Sequence, residues 1–157
     1  MKIDGACLCG HLSYEADIDP AKVVICHCTQ CQIGSASAFR FGVLVAKENF
    51  RLLTGVPKTY VKTAENGNLR ALTFCPECGT ALYGTGVDEQ DFFSLRLGTA
   101  RQRAELKPVS QIWCRSALPW LSGLDGMRKY EQQGRRSQSA QPAPVDPGAG
   151  TDRGAVG

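Results

Sequence analysis

Apolar and polar positions alternate along much of the chain at a period of two, the repeat an extended strand imposes on its two faces. In His11–Ala16, Leu12, Tyr14 and Ala16 share one face and His11 lies on the polar one. Phe39, Phe41, Val43 and Val45 repeat the pattern over Phe39–Val45. Val23–Ile25 is a β-branched run, and Thr59–Lys62, Leu69–Phe74, Ala81–Tyr83 and Phe92–Leu97 read as further strands. Gly55, Pro57, Asn66-Gly67, Gly84 and Gly86 punctuate them. Asn66-Gly67 predicts a hairpin turn, because both residues tolerate positive φ. No long window keeps a helical period, so short helical turns are expected only after Cys28 and near Leu118–Leu121. The expected fold class is mainly β: short antiparallel sheets, little helix and no internal repeat.

The alternation stops before the C-terminus. Residues 132–157 contain no aromatic side chain and only two valines among the larger apolar types. Such a segment cannot bury enough surface to offset the entropy of ordering it. The expected organisation is one domain over residues 1–131 and a disordered polar tail over 132–157. A length of 157 residues suits one domain with a modest core. It excludes a dehydrogenase with separate cofactor and substrate domains, and an eightfold α/β barrel. No apolar run reaches the roughly 18 residues that a membrane span needs, and Met1–Gly10 lacks the apolar stretch of a secretory signal. A cytoplasmic location is therefore expected, with no membrane partner.

Charge changes the picture little. Of 18 basic and 15 acidic residues, five and three fall from Arg128 onward, which leaves thirteen against twelve before it. So even a balance is a poor footprint for nucleic acid, and none is expected as a partner.

Cysteine usage changes it a great deal. The eight cysteines are Cys7, Cys9, Cys26, Cys28, Cys31, Cys75, Cys78 and Cys114. In a reducing compartment, clustered cysteines argue for metal before disulfides. Cys75-Pro-Glu-Cys78-Gly79 is a zinc-knuckle turn: two thiolates grip one ion, and the glycine lets backbone amides turn toward the sulfurs. A structural zinc wants four ligands, and Cys7-Leu-Cys9-Gly10 is the natural complement. Cys26, Cys28 and Cys31 remain, and three protein ligands with one open position are what a catalytic zinc needs. Other readings of this trio stay open. It could be structural, with His27 or a distant residue as fourth ligand, or hold an iron–sulfur centre, or act as a redox pair. In an extended Cys-X-Cys segment the central side chain points away from its neighbours, so His27 reads as supporting or surface rather than ligating. Cys114, beside Trp113, reads as a small buried hydrophobe. Trp113, Pro119, Trp120 and Leu121 read as core or pocket wall. Arg96, Arg101, Arg103 and Arg115 could meet a carboxylate bidentately, with a solvated surface as the default for each.

The order Cys-X-Cys-Gly, Cys-His-Cys-X-X-Cys and Phe74-Cys-Pro-X-Cys-Gly-Thr80 resembles the glutathione-dependent formaldehyde-activating enzymes, a family also named for its similarity to centromere protein V. Gly10–Glu15, Gly34 with Ser35–Phe39, Gly55 with Tyr60, Gly98-Thr99, Ile112-Trp113 and Pro119-Trp120 fall in matching order. Gln111 stands where the family often has histidine, and Cys114 and the polar tail are outside the pattern. The resemblance implies a β-tent of stacked sheets pinned by zinc. It implies two zinc ions per chain, a structural one at Cys7, Cys9, Cys75 and Cys78 and a catalytic one at Cys26, Cys28 and Cys31. It implies a carbon–sulfur lyase whose partners are a small thiol, glutathione or similar, and a small aldehyde, joined in the family as S-hydroxymethylglutathione. The alternative is a non-catalytic zinc-binding interaction module, or a redox or zinc-exchange module.

Overall fold

Ten short strands and one α-helix carry the chain through the described residues, 1–88 and 90–132 of the computed structural model. The strands are β1 (Lys2–Ala6), β2 (Ser13–Asp17), β3 (Val24–Cys26), β4 (Arg40–Ala46), β5 (Phe50–Thr54), β6 (Lys58–Thr63), β7 (Leu69–Phe74), β8 (Ala81–Gly86), β9 (Phe92–Arg96) and β10 (Ser110–Ile112). The helix is α1 (Thr29–Ser35). Each alternating run in the sequence is a strand, the turn after Cys28 is α1, and the stretch near Leu118 is a 3-10 helix, Pro119–Gly126. The fold is mainly β, as expected.

The strands form two sheets, one in the order β1-β2-β5 and one in the order β10-β3-β4-β9-β8-β7-β6. All neighbours are antiparallel except β10 and β3. The alternation explains the packing. Leu12, Tyr14 and Ala16 are buried on the small sheet, and Val43, Val45, Phe93 and Leu95 on the large one. Phe50 joins the two sheets: its ring lies 5.6 Å from Tyr14, 5.1 Å from Tyr83 and 5.0 Å from Phe93. Aromatic contacts at these spacings add stability beyond the area they bury. Gly5 is required where Tyr14 crosses it, since a Cβ there would stand 2.5 Å from the Tyr14 ring and the Thr99 carbonyl oxygen.

The other face of the large sheet positions the site. Cys26 pairs with Arg40, Gly42 with Arg96, and Ser94 with both Leu44 and Gly84. Directly paired residues share a face, as do residues two apart on one strand. Cys26, Arg40, Gly42, Ser94, Arg96 and Gly84 therefore lie together, opposite the core. The far edge of the sheet comes back to this face: Lys62 Nζ on β6 donates to Gln30 Oε1 on α1. The β6–β7 turn also reaches the 110–116 segment, through Arg115 Nη2 to Glu65 Oε1 at 3.3 Å.

That turn differs from the expected one. Gly67 alone has positive φ, at 84°, and Asn66 does not. The Ala64 amide donates to the Asn68 carbonyl at 2.8 Å and the Gly67 amide to the Ala64 carbonyl at 2.9 Å. This is a three-residue loop closed by a glycine bulge, and Asn66 instead accepts from the Asn68 amide with its side chain.

Met1–Ser122 forms one compact unit and a second begins at Gly123. The described part of the second is exposed and holds one ion pair, Lys129 Nζ to Asp125 Oδ1 at 3.5 Å. The tail expected over 132–157 lies outside the described residues, Gln132 apart. Among the described residues no helix is long and apolar enough to cross a membrane.

Candidate functional site

Seven of the eight cysteines gather into two clusters. Cys7, Cys9, Cys75 and Cys78 place their sulfurs within 4.8 Å of one another, and Cys26, Cys28 and Cys31 do the same. No disulfide joins any of them.

Two similar turns build the quartet. After Cys7-Leu-Cys9 the chain reverses at Gly10, φ 80°, and the Gly10 amide donates to the Cys7 carbonyl at 3.0 Å. After Cys75-Pro-Glu-Cys78 it reverses at Gly79, φ 71°, and the Gly79 amide donates to the Cys75 carbonyl at 2.9 Å. Any other residue would be strained at these left-handed positions, which is why each pair ends in glycine. The Leu12 amide donates to Cys7 Sγ at 3.2 Å, and the Thr80 hydroxyl lies 3.1 Å from Cys78 Sγ. The same hydroxyl accepts from the Leu8 amide at 3.1 Å, which latches one turn to the other.

This donor set fits zinc. Cys7 and Cys9 sulfurs are 3.6 Å apart, and Cys9 and Cys75 sulfurs 3.8 Å apart. A tetrahedron with zinc–sulfur bonds of about 2.3 Å sets its sulfurs about 3.8 Å from each other. The electrostatics agree. Thr80, by hydroxyl and amide, draws Cys78 down to about 5. The His11 amide also lowers Cys9, but burial and the Cys7, Cys78 and Cys75 thiols outweigh it and push Cys9 up to about 12. The sulfurs cannot all ionise without a cation among them, and a divalent ion removes that conflict.

The trio is local. Cys26 ends β3, Cys28 caps α1, and Cys31 lies in the first turn of α1. The Cys31 amide donates to Cys28 Sγ at 3.3 Å, so the cap doubles as a fixed sulfur position. Arg40 Nε donates to Cys31 Sγ at 3.3 Å, and Arg40 Nη1 donates to Ser94 Oγ on β9. Burial raises the Cys31 thiol, but the Arg40 charge and hydrogen bond together with the Cys28 and Cys26 thiols draw it below its ordinary value. Burial and the neighbouring Cys31 push Cys28 up to about 11. Cys26 is buried, while Cys28 and Cys31 are half-exposed. Soft sulfur ligands in threes again suit zinc. Among the described residues no fourth histidine, cysteine or carboxylate joins them.

His27 is buried and is not a ligand of the trio. Its Nε2 pairs with Gln111 Oε1 at 2.8 Å, its Nδ1 has no partner, and Phe39 stands edge-on to the ring at 5.9 Å. The surface alternative for His27 is thus overturned. Gln32 Nε2 donates to the carbonyls of His27 and Ser116 at 2.7 and 2.8 Å, tying α1 to the 110–116 segment.

Other expectations need correction. Cys114 is exposed rather than buried. Trp113 and Trp120 are 42% and 50% exposed, so they are not core; Trp113 sits in left-handed backbone, φ 59°, with the Arg115 guanidinium 4.8 Å from its ring. His11 is exposed, as expected. Arg101 pairs with Asp4 at 3.1 Å on the surface, but Arg96 is half-buried beside the trio. Burial, and then the Arg40 guanidinium, pushes Arg96 down to about 10, against the pull of the Cys31, Cys26 and Cys28 thiols. Arg96 therefore stays charged at neutral pH. Arg40 was not singled out in the sequence; its one signal is a basic residue in step with Gly42 on the polar side of an alternating run. A depression of about 790 Å³ over the small sheet, between Lys2, Glu15, Arg51 and Gln102, is lined by no cysteine.

The family model described as glutathione-dependent formaldehyde-activating enzyme matches residues 2–116. No curated protein matches the chain. Among solved structures, a Rhodobacter sphaeroides protein from a structural genomics programme superposes with a TM-score of 0.54 at 15% identity, over 69% of this chain and 98% of that one. That similarity is one of fold. The family match runs from β1 through the 3-10 turn after Trp113 and includes both thiol clusters, so the chain belongs to the glutathione-dependent formaldehyde-activating enzyme family.

Proposed function

We propose that this protein is a zinc-dependent carbon–sulfur lyase that adds a small thiol, glutathione or similar, to formaldehyde or another small aldehyde. One observation carries the reading. Three thiols gather with no fourth ligating side chain among the described residues, and a guanidinium rests against one of them. In this reading Cys7, Cys9, Cys75 and Cys78 hold one zinc for the scaffold. Cys26, Cys28 and Cys31 hold a second and leave room for a guest. Bound there, zinc supplies a position at which a guest thiol is kept as the reactive thiolate.

The chain's own groups prepare that position. Arg40 and the Cys31 amide donate to Cys31 and Cys28 sulfurs, which offsets negative charge and fixes the direction each sulfur faces. Gln32 and the His27–Gln111 pair brace α1 against the 110–116 segment, so the trio stays assembled when no guest is present. Half-exposure of Cys28 and Cys31 gives the guest its way in. The chemistry is an addition. The guest sulfur bonds to the aldehyde carbon, the carbonyl π pair moves to oxygen, and the proton given up by the thiol ends on that oxygen. Nothing is oxidised and no group leaves.

The test is carbon-13 exchange spectroscopy of formaldehyde with glutathione, with and without zinc-loaded protein. Acceleration by the native protein that vanishes in Cys28→Ser is expected. An unchanged exchange rate at stoichiometric native protein would overturn the reading for that pair.

A further inference from the structure

We propose that Arg96, with Arg40 beside it, docks a carboxylate carried by the guest thiol, so that the site selects thiol acids over neutral thiols. This deepens the reading of the trio as a thiol site and rests on it.

The register places the dock. Cys26 pairs with Arg40, and two residues further along β4, Gly42 pairs with Arg96. Adjacent strands lie about 4.8 Å apart, so Arg96 stands two strands from Cys26 on the same face. The two arginines differ in what they touch. Arg40 spends Nε on Cys31 and Nη1 on Ser94. The Arg96 guanidinium donates to no group and pairs with no acid among the described residues, although Arg51, Arg101 and Arg115 each have a carboxylate. A half-buried guanidinium with no partner among the described residues presents an unmet fork of donors, and that fork matches a carboxylate.

The floor leaves room for it. A Cβ on Gly42 would come 2.9 Å from Arg40 Nη1, and one on Gly84 would come 3.6 Å from Arg96 Nη2 and 3.3 Å from Leu72. Gly42 leaves the Arg40 guanidinium room to lie across the sheet, and the Arg96 guanidinium lies over Gly84 at ordinary contact distance. The charge of the face points the same way. Strands β3, β4 and β6–β9 contain no Asp or Glu, and all their basic residues, Arg40, Lys58, Lys62, Arg70 and Arg96, fall on this one face. Three thiolates, one divalent ion and the Arg40 guanidinium sum to zero charge. Arg96 is then a surplus cation beside the guest position. The Lys62–Gln30 and Arg115–Glu65 contacts tie the β6–β7 hairpin to α1 and to the 110–116 segment beside this face.

The experiment is calorimetric titration of the zinc-loaded full chain with three probes: 3-mercaptopropionate (thiol and carboxylate), 2-mercaptoethanol (thiol only) and propionate (carboxylate only). Zinc content and circular dichroism are checked for each variant. The native protein is expected to bind 3-mercaptopropionate about tenfold or more tightly than 2-mercaptoethanol, the discrimination that one charge-assisted pair provides. Arg96→Met should erase that preference with zinc content unchanged, and Arg96→Lys should restore part of it, because it keeps the charge without the fork. Equal affinity of the native protein for both thiols would overturn the dock. So would an equal loss of both thiols in Arg96→Met, which is the signature of a residue that only supports the metal. If 3-mercaptopropionate binds no tighter than propionate while propionate binding still needs Arg96, the dock stands and the thiol reading falls. Binding of none of the three overturns the dock.

Discussion

The two sulfur clusters share a chemistry and differ in reach. The quartet joins chain segments far apart in sequence, with Cys9 and Cys75 separated by 66 positions; it buries Cys7 and Cys75, leaves Cys78 half-exposed and leaves Cys9 exposed. The trio lies within a single strand-to-helix turn, and two of its sulfurs stay half-exposed. Closing a long loop removes more freedom from the unfolded chain than closing a short one, so an ion in the quartet stabilises the fold and an ion in the trio adds little. Ligand number decides the other half. Each cluster mixes buried and accessible sulfurs, Cys9 and Cys78 in the quartet and Cys28 and Cys31 in the trio being the accessible ones, but the quartet has the four sulfurs that close a tetrahedron and the trio has three, flanked by one guanidinium that is engaged and one that is not. On the proposed reading, one element serves twice, as a clamp where the sulfurs are distant in sequence and as a reactive site where they are near.

The largest expected effect comes from breaking the clamp. Cys75→Ser should lower the thermal midpoint by about 10 °C or more, since metal binding there is folding free energy. A circular dichroism melt with metal analysis checks it, and a midpoint near the native value would remove the distinction between the clusters. Next is Cys28→Ser. It should cost one zinc per chain and the thiol–aldehyde exchange, while lowering the midpoint by about half as much or less. Arg40→Met should leave the quartet untouched and weaken metal at the trio about 10–100-fold, the usual cost of losing a group that hydrogen-bonds a ligand. Competition with a chromogenic chelator reads that shift, and equal weakening of both sites would show Arg40 acting through the fold. The smallest effect is Cys114→Ser. The eighth sulfur is exposed and outside both clusters, so zinc content should be unchanged and stability should move by no more than about 0.5 kcal/mol.

Much of this was legible in the sequence, for a physical reason. Period-two alternation depends only on which face is wet, so Leu12-Tyr14-Ala16 and Phe41-Val43-Val45 showed their strands directly. Cysteine spacing with trailing glycines is likewise local, and both clusters assembled as their spacing suggested. What stayed hidden depends on partners. β1 buries Ile3 and Gly5 in alternation, but a glycine at one of the two positions hides the pattern, and β10 is three exposed residues paired in parallel with β3, with no buried face of its own. The order β3-β4-β9 fixes where Arg96 points, and nothing near Arg96 in sequence records that its neighbour is Gly42 and, beyond it, the trio. Trp113 and Cys114 look like core by residue type, but a left-handed residue at Trp113 turns that segment outward. A hydrogen bond such as His27–Gln111, across 84 positions, is equally invisible before the fold brings the pair together.

The central claim is that the sulfurs are divided into one closed and one open set. Its most direct test is the kinetics of zinc release from the metal-replete native protein to a chromogenic chelator. Two zinc ions per chain should leave in two well-separated phases of equal amplitude, with added thiol altering the fast phase only and unfolding required for the slow one. A single phase, a single zinc, or a thiol effect on both phases would contradict the account.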